Sequence, residues 1–260
     1  MSKKPIGLFD SGVGGTSIFR AIHSLLPFEN TIYLADSKNA PYGEKSKVDI
    51  IALSKKNTEL LLDFGCKLIV VACNTATTNA IKTLREKFTL PFIGIEPAIK
   101  PAALKTNSGT IGILATKGTL SSELFNSTFH QHASHLKVIE QVGEGIVELI
   151  ENGQIYSKEM EELLKSYMQP MISANIDYLV LGCTHYPYII PMLRKLLPEN
   201  VTIIDSGEAV ARQTKNVLIQ HDLLRTEENL NPKNEFYTNG KVSVLSEILN
   251  GDYPVTFKNF

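Results

Sequence analysis

Val70-Val71-Ala72-Cys73-Asn74-Thr75 and Val180-Leu181-Gly182-Cys183-Thr184-His185 are the two stretches on which the fold turns. Each is an apolar run that ends in a cysteine and continues into small hydrogen-bonding residues, and they lie about 110 residues apart. Three further pairs fall in register with them. Ile6-Gly7-Leu8-Phe9-Asp10-Ser11 lies on Ile111-Gly112-Ile113-Leu114-Ala115-Thr116, Ile32-Tyr33-Leu34-Ala35-Asp36 on Leu136-Lys137-Val138-Ile139-Glu140, and Ile95-Glu96 on Ile204-Asp205. Four strand ends in the same order, at an offset of about 104 to 110 residues, mark a duplicated unit.

Working outward, short apolar runs recur at 6–9, 31–34, 68–71, 91–95, 110–114, 136–139, 178–181 and 201–204, most without period-2 alternation, as strands buried on both faces require. Helical patterns at 48–64, 77–87, 157–171 and 189–196 separate them. The alternation predicts α/β architecture: two similar units with mainly parallel sheets, related by a pseudo-twofold axis, with a ligand site in the cleft between them. The tail, strand-like at 236–237 and helix-like at 242–249, has no counterpart in the repeat and is expected to pack on one half.

The totals narrow the function. The 260 residues are 43% hydrophobic and 20% charged with a formal net charge of -1, and the lysines are scattered among acids. A nucleic-acid or acidic-membrane partner normally leaves a clustered basic footprint, so neither is expected. No run reaches a membrane span, and the start leads into a strand too early for a signal peptide. Three cysteines without framework spacing argue against a disulfide scaffold and for a reducing cytoplasm.

Asp10-Ser11-Gly12-Val13-Gly14-Gly15 follows a strand and opens a helix, and its glycines would let backbone amides approach a ligand. A dinucleotide fingerprint fits poorly, because Ser17 stands at the third glycine position and Asp10 would sit at the mouth of a phosphate cradle. Cys73 and Cys183 precede donors at helix starts, a setting expected to lower a thiol's pKa and favour thiolate. Cys66, before a strand, reads as a small buried hydrophobe. His185 lacks the second close Cys/His pair of a zinc site, so no metal is expected. A Cys-His hydrolase would use one thiol and leave Cys73 idle. Pro41-Tyr42-Gly43 is a turn whose place beyond a strand end suggests ligand contact.

Inverting a stereocentre by proton transfer needs a base on one face and an acid on the other, and two equivalent thiols supply both. The carbanion needs fixed donors, which main-chain amides with Ser11, Asn74, Thr75, Thr116 and Thr184 could provide. No lysine in these motifs suggests a pyridoxal Schiff base, and no cofactor is expected.

Taken together, Phe9-Asp10-Ser11-Gly12-Val13-Gly14-Gly15, Pro41-Tyr42-Gly43, Ala72-Cys73-Asn74-Thr75-Ala76, Ile95-Glu96-Pro97, Leu181-Gly182-Cys183-Thr184-His185-Tyr186-Pro187 and Ile204-Asp205-Ser206-Gly207 resemble the glutamate racemase family, which makes D-glutamate for peptidoglycan. The resemblance implies that Cys73 deprotonates D-glutamate with help from Asp10, and Cys183 deprotonates L-glutamate with help from His185 and Glu151. It assigns substrate contacts to Asp10, Ser11, Pro41, Tyr42, Gly43, Asn74, Thr75, Thr116, Thr119, Thr184 and His185. It also implies a first domain of 1–97 plus 210–260, completed by the tail, and a second of 98–209. The sequence departs from the family's commoner pattern at Ala115-Thr116-Lys117-Gly118-Thr119 and at Gly143-Glu144-Gly145. Aspartate is the substrate of a sister family, a non-catalytic binding module is the alternative of another class, and a homodimer is left open.

Overall fold

A computed structural model describes residues 3–260. The first unit supplies β1 (Ile6–Asp10), β2 (Thr31–Ala35), β3 (Leu68–Val71) and β4 (Phe92–Ile93), and the second β5 (Thr110–Ala115), β6 (Lys137–Val142), β7 (Tyr178–Gly182) and β8 (Thr202–Ile204). The tail adds β9 (Asn234–Thr238) and β10 (Val255–Phe257). They form two sheets, ordered β10-β9-β2-β1-β3-β4 and β6-β5-β7-β8, in which every pairing is parallel. The four strands of each unit therefore have the same order, second-first-third-fourth, which is the duplication seen in three dimensions. In this order the chain reverses direction beside the first strand, opening a crevice between the carboxyl ends of the first and third strands where open α/β sheets bind ligands.

Burial explains the strand composition. Every residue of β1, β2, β3 and β5 is buried, as continuous apolar runs between two helical layers should be. The helix Lys158–Ser173 shows the complementary pattern: Met160, Leu164, Met168 and Met171 are buried at helical spacing, and the Ser157 hydroxyl caps it by accepting the Met160 N–H at 3.1 Å. Each such side chain contributes roughly 1.5–3 kcal/mol of hydrophobic stabilisation.

Three expectations are corrected locally. The strand read at 91–95 shortens to β4 because the Thr77 hydroxyl accepts the Ile95 N–H at 2.9 Å, taking a bond the ladder would have used. The helix read from 77 begins at Asn74, because Cys73 Sγ accepts the Ala76 N–H and serves as its N-cap. β6 is half-exposed where continuous burial was expected; it lies at a sheet edge, and Lys137, Glu140 and Gln141 give it the polarity an edge needs.

The tail returns to the first sheet beside β2. Below the strands, Lys67 donates to Glu29 at 2.6 Å and to the Leu223 carbonyl at 2.8 Å, while Glu29 accepts the Arg225 N–H at 2.8 Å, so one buried ion pair ties the returning chain to the start of β3. The chain crosses between sheets after β4 and again after β8, and there the Ser206 hydroxyl donates to the Glu96 carbonyl. Among the described residues no helix is long and apolar enough to cross a membrane.

Candidate functional site

The carboxyl ends of the strands face a narrow cavity lined by Ser11, Pro41, Tyr42, Gly43, Cys73, Asn74, Thr75, Thr116, Val147, Cys183, Thr184 and His185. Small polar side chains and two thiols from two different sheets share it. Of these twelve residues the sequence reading names all but Val147, which sits in the first turn of the helix Ile146–Glu151 and carries no polar signal. A larger opening, lined in part by Lys45, Lys117 and Glu144, adjoins it through Pro41, Gly43, Thr116 and Val147.

Cys73 leaves β3 in extended conformation and caps the helix Asn74–Lys87, with Ala76 N at 3.4 Å and Ser11 Oγ at 3.7 Å from its sulfur. The helix-start donation expected from the sequence is present, yet the thiol does not become more acidic. Burial and the Asp10 carboxylate push its pKa well above the ordinary thiol value, outweighing the hydrogen bonds with Ala76 and Ser11. Cys73 is thus held as a thiol at rest.

Asp10 is fully buried beneath that thiol. One carboxylate oxygen accepts Ser11 N–H at 2.7 Å and the other Gly15 N–H at 2.6 Å, with the Thr184 hydroxyl at 3.3 Å reaching in from the second sheet. Burial raises its pKa against the opposing pull of His185 and Gly15.

On the other sheet, Cys183 Sγ lies 3.8 Å from His185 Nδ1, and His185 Nε2 lies 2.6 Å from Glu151 Oε1. Burial alone would depress the imidazole, but Cys183, Glu151 and Asp10 together hold its pKa well above the usual value. The protonated ring donates through Nε2 to Glu151. Gly14 N–H, 3.3 Å from that same nitrogen, therefore packs against it without a true acceptor. Glu151 also accepts the Val13 N–H at 2.6 Å, so the carboxylate bridges the two units.

This rewrites the glycine loop. A Cβ on Gly12 would meet Glu151 Oε1 at 1.8 Å, one on Gly14 would meet His185 Nδ1 at 2.2 Å, and one on Gly15 would meet Asp10 Cβ and the Ala72 carbonyl, each at 2.8 Å. The glycines admit protein side chains, and the amides of Val13 and Gly15 are already taken by Glu151 and Asp10. The loop does not present its amides to a ligand as the sequence suggested.

Two residues assigned substrate contacts stand behind the wall. Asp10 lies beneath Cys73, and Thr119 is fully buried with its hydroxyl on those of Thr116 at 3.0 Å and Thr75 at 3.4 Å. Asn74 is the opposite case: its side-chain NH2 is buried in the cavity wall with no protein acceptor, a donor left for a bound ligand. Cys66 packs against Gly7, and burial pushes its thiol up to about 12, as an inert core residue. No three His, Cys, Asp or Glu side chains among the described residues converge as metal ligands.

Residues 6–214 match the family model for Asp/Glu/hydantoin racemases. The chain is 49% identical over 227 residues to the glutamate racemase of Ectopseudomonas mendocina (strain ymp), covering 87% of this chain and 86% of that one. The crystal structure of a Bacillus anthracis glutamate racemase isoform superposes with a TM-score of 0.86 at 33% identity, covering 99% of this chain and 98% of that one. The Escherichia coli glutamate racemase, solved with L-glutamate and the activator UDP-MurNAc-ala, gives the same TM-score and identity over 98% of both chains.

Proposed function

The chain belongs to the Asp/Glu/hydantoin racemase family, and from that premise we propose that it is a glutamate racemase using two thiols and no cofactor. The observation that carries the reading is the shared cavity of Cys73 and Cys183, one from each sheet.

In the L-to-D direction Cys183 takes the α-proton as a thiolate, and the resulting carbanion takes a proton from the Cys73 thiol on its other face. One C–H bond breaks, another forms, and the enzyme ends with the proton moved from Cys73 to Cys183. The reverse direction begins from that state. Cys73, kept protonated by burial and Asp10, is ready as the acid of the second transfer. Protonated His185 beside Cys183 offsets negative charge on that sulfur, and Glu151 holds the imidazole in place. Asp10 favours the return of a proton to Cys73. Ser11, Asn74, Thr75, Thr116, Thr184 and the turn at Pro41, Tyr42 and Gly43 hold the substrate, with Thr119 supporting Thr75 and Thr116 from behind. Donors at the start of the helix Asn74–Lys87 stabilise the carbanion.

We further place the division into domains at 1–97 plus 210–260 and 98–209. The product D-glutamate would serve peptidoglycan synthesis in the cytoplasm, without nucleic-acid or membrane partners.

Circular dichroism of the purified protein tests the reading. L-glutamate and then D-glutamate should each lose ellipticity toward zero with no added pyridoxal phosphate, and EDTA should leave the rate unchanged. Faster conversion of aspartate would reassign the substrate, and no conversion of either would point to a binding module.

A further inference from the structure

The tail is the part of the chain that the duplication leaves unexplained. In the second sheet β6 is the outer strand, whereas in the first the equivalent β2 is covered by β9 and β10. The loop after β2 is also the one that reaches the cavity, through Pro41, Tyr42 and Gly43. Beyond the Asp36 N–H, which continues the ladder to the Asp10 carbonyl at 3.0 Å, its own backbone bonds are local: Asn39 N–H to the Asp36 carbonyl, Ala40 N–H to Ser37 and Lys45 N–H to Tyr42. Nothing in the local set fixes the turn at Pro41, Tyr42 and Gly43 against the sheet.

A buried side-chain network does. Asp36, 1% exposed at the end of β2, accepts the Tyr42 hydroxyl at 2.5 Å, Asn39 Nδ2 at 2.8 Å and Asn239 Nδ2 at 2.5 Å. Asn57 Nδ2 donates to the Tyr42 hydroxyl at 3.2 Å. Asn239 follows β9 directly, and its other end accepts the Lys38 N–H at 2.9 Å, so one amide grips the loop at a carboxylate and at the backbone. Its NH2 also donates to the Phe260 carbonyl at 3.1 Å. The Phe260 ring, just beyond β10, is buried in the apolar cluster that contains Tyr42, Leu34 and Cys73. Both tail strands thus end against the back of the turn whose front lines the cavity.

We infer that Asn239 and Phe260 are positioning residues for substrate binding: acting through Asp36 and the Tyr42 hydroxyl, they preset the Pro41-Tyr42-Gly43 turn. The inference rests on reading the cavity as the glutamate site. A turn that must be ordered when substrate arrives spends binding energy on its own ordering, so its loosening weakens ground state and transition state alike. The signature is a higher KM at unchanged kcat.

The experiment measures KM, kcat and thermal midpoint for Asn239→Ala, Phe260→Ala, Tyr42→Phe and the double variant Asn239→Ala/Tyr42→Phe. For Asn239→Ala, KM for both glutamate enantiomers should rise about tenfold with kcat within about twofold, the effect of losing a hydrogen bond to a charged group. Adding Asn239→Ala to Tyr42→Phe should cost little more than Tyr42→Phe alone, because both act along one path. Phe260→Ala, which keeps the backbone carbonyl, should show the same split more weakly and serves if Asn239→Ala does not fold. A folded Asn239→Ala or Phe260→Ala protein with wild-type KM, a loss confined to kcat, or fully additive effects in the double variant would overturn the inference. A wild-type protein inactive on glutamate would overturn the functional reading itself, which the wild-type assay detects separately.

Discussion

Cys73 and Cys183 occupy matching places in the repeat and keep different company. Cys73 faces a buried carboxylate and Cys183 a protonated imidazole. Cys73→Ser and Cys183→Ser should each nearly abolish racemisation, since a serine hydroxyl is far less acidic than a thiol. A substrate analogue with a β leaving group can still be processed on one face: Cys183→Ser should eliminate only from the D-form and Cys73→Ser only from the L-form. Equal elimination from both enantiomers by either variant would contradict one base per face. Because enantiomers are equally stable, kcat/KM must stay equal in the two directions, and asymmetry can appear only in kcat and KM separately. His185 gives a stability test. Its folded pKa lies above the unfolded value of about 6.5, so its contribution is complete below that pH and is lost as pH rises through the folded value. The gap in thermal midpoint between wild type and His185→Asn should therefore be widest in mild acid and narrow in alkali; a gap that widens with pH would remove the ion-paired imidazole. At this scale the cavity wall was legible because its members are polar groups at strand ends. Val147 escaped because an apolar residue in a helix reads as core, and the resting state of Cys73 escaped because burial depth is a property of the fold.

Elements show a different balance. The strands of the repeat could be read from continuous apolar runs, but β10 could not: Val255, Thr256 and Phe257 are few and only partly covered. The ion pair of Lys67 and Glu29 was equally hidden, since two opposite charges far apart in sequence carry no mutual mark. It lies at the amino ends of the strands, away from the cavity, and should matter to folding alone. Lys67→Met leaves a buried carboxylate without its cation, holding only the Arg225 N–H, and should cost about 3–5 kcal/mol, part of which a compensating Glu29→Leu would restore. Urea unfolding measures the first, and kcat/KM at 25 °C should stay within about twofold for a surviving fold remote from the chemistry. A large loss of activity at unchanged stability would show that the returning chain reaches the site.

At the scale of the whole molecule the duplication was the most legible feature, because short motifs repeated in order report topology directly. The attachment of the tail to the first unit came from the family resemblance and not from the repeat, since an unmatched segment by itself gives no clue to which sheet edge it extends. What joins the two units is more than the crossings after β4 and β8, linked by Ser206 and Glu96: Glu151, Ser17, Asp10, Thr75 and Asn79 bond across the cleft, and one apolar cluster contains residues of both units. Ser206→Ala should raise amide hydrogen exchange at 94–98 and 204–207 while the strands keep their protection; uniform exchange across the chain would instead mean global destabilisation. Since the polypeptide leaves the first sheet and re-enters it at points one hydrogen bond apart, the second unit is a guest spliced into a host at a single seam. Closing that seam with a short linker in place of 98–205 would display Cys73 on an open face with no opposing thiol, and would also uncover the apolar residues that the host shares with its guest, so the shortened chain should bind a hydrophobic dye that the full chain does not.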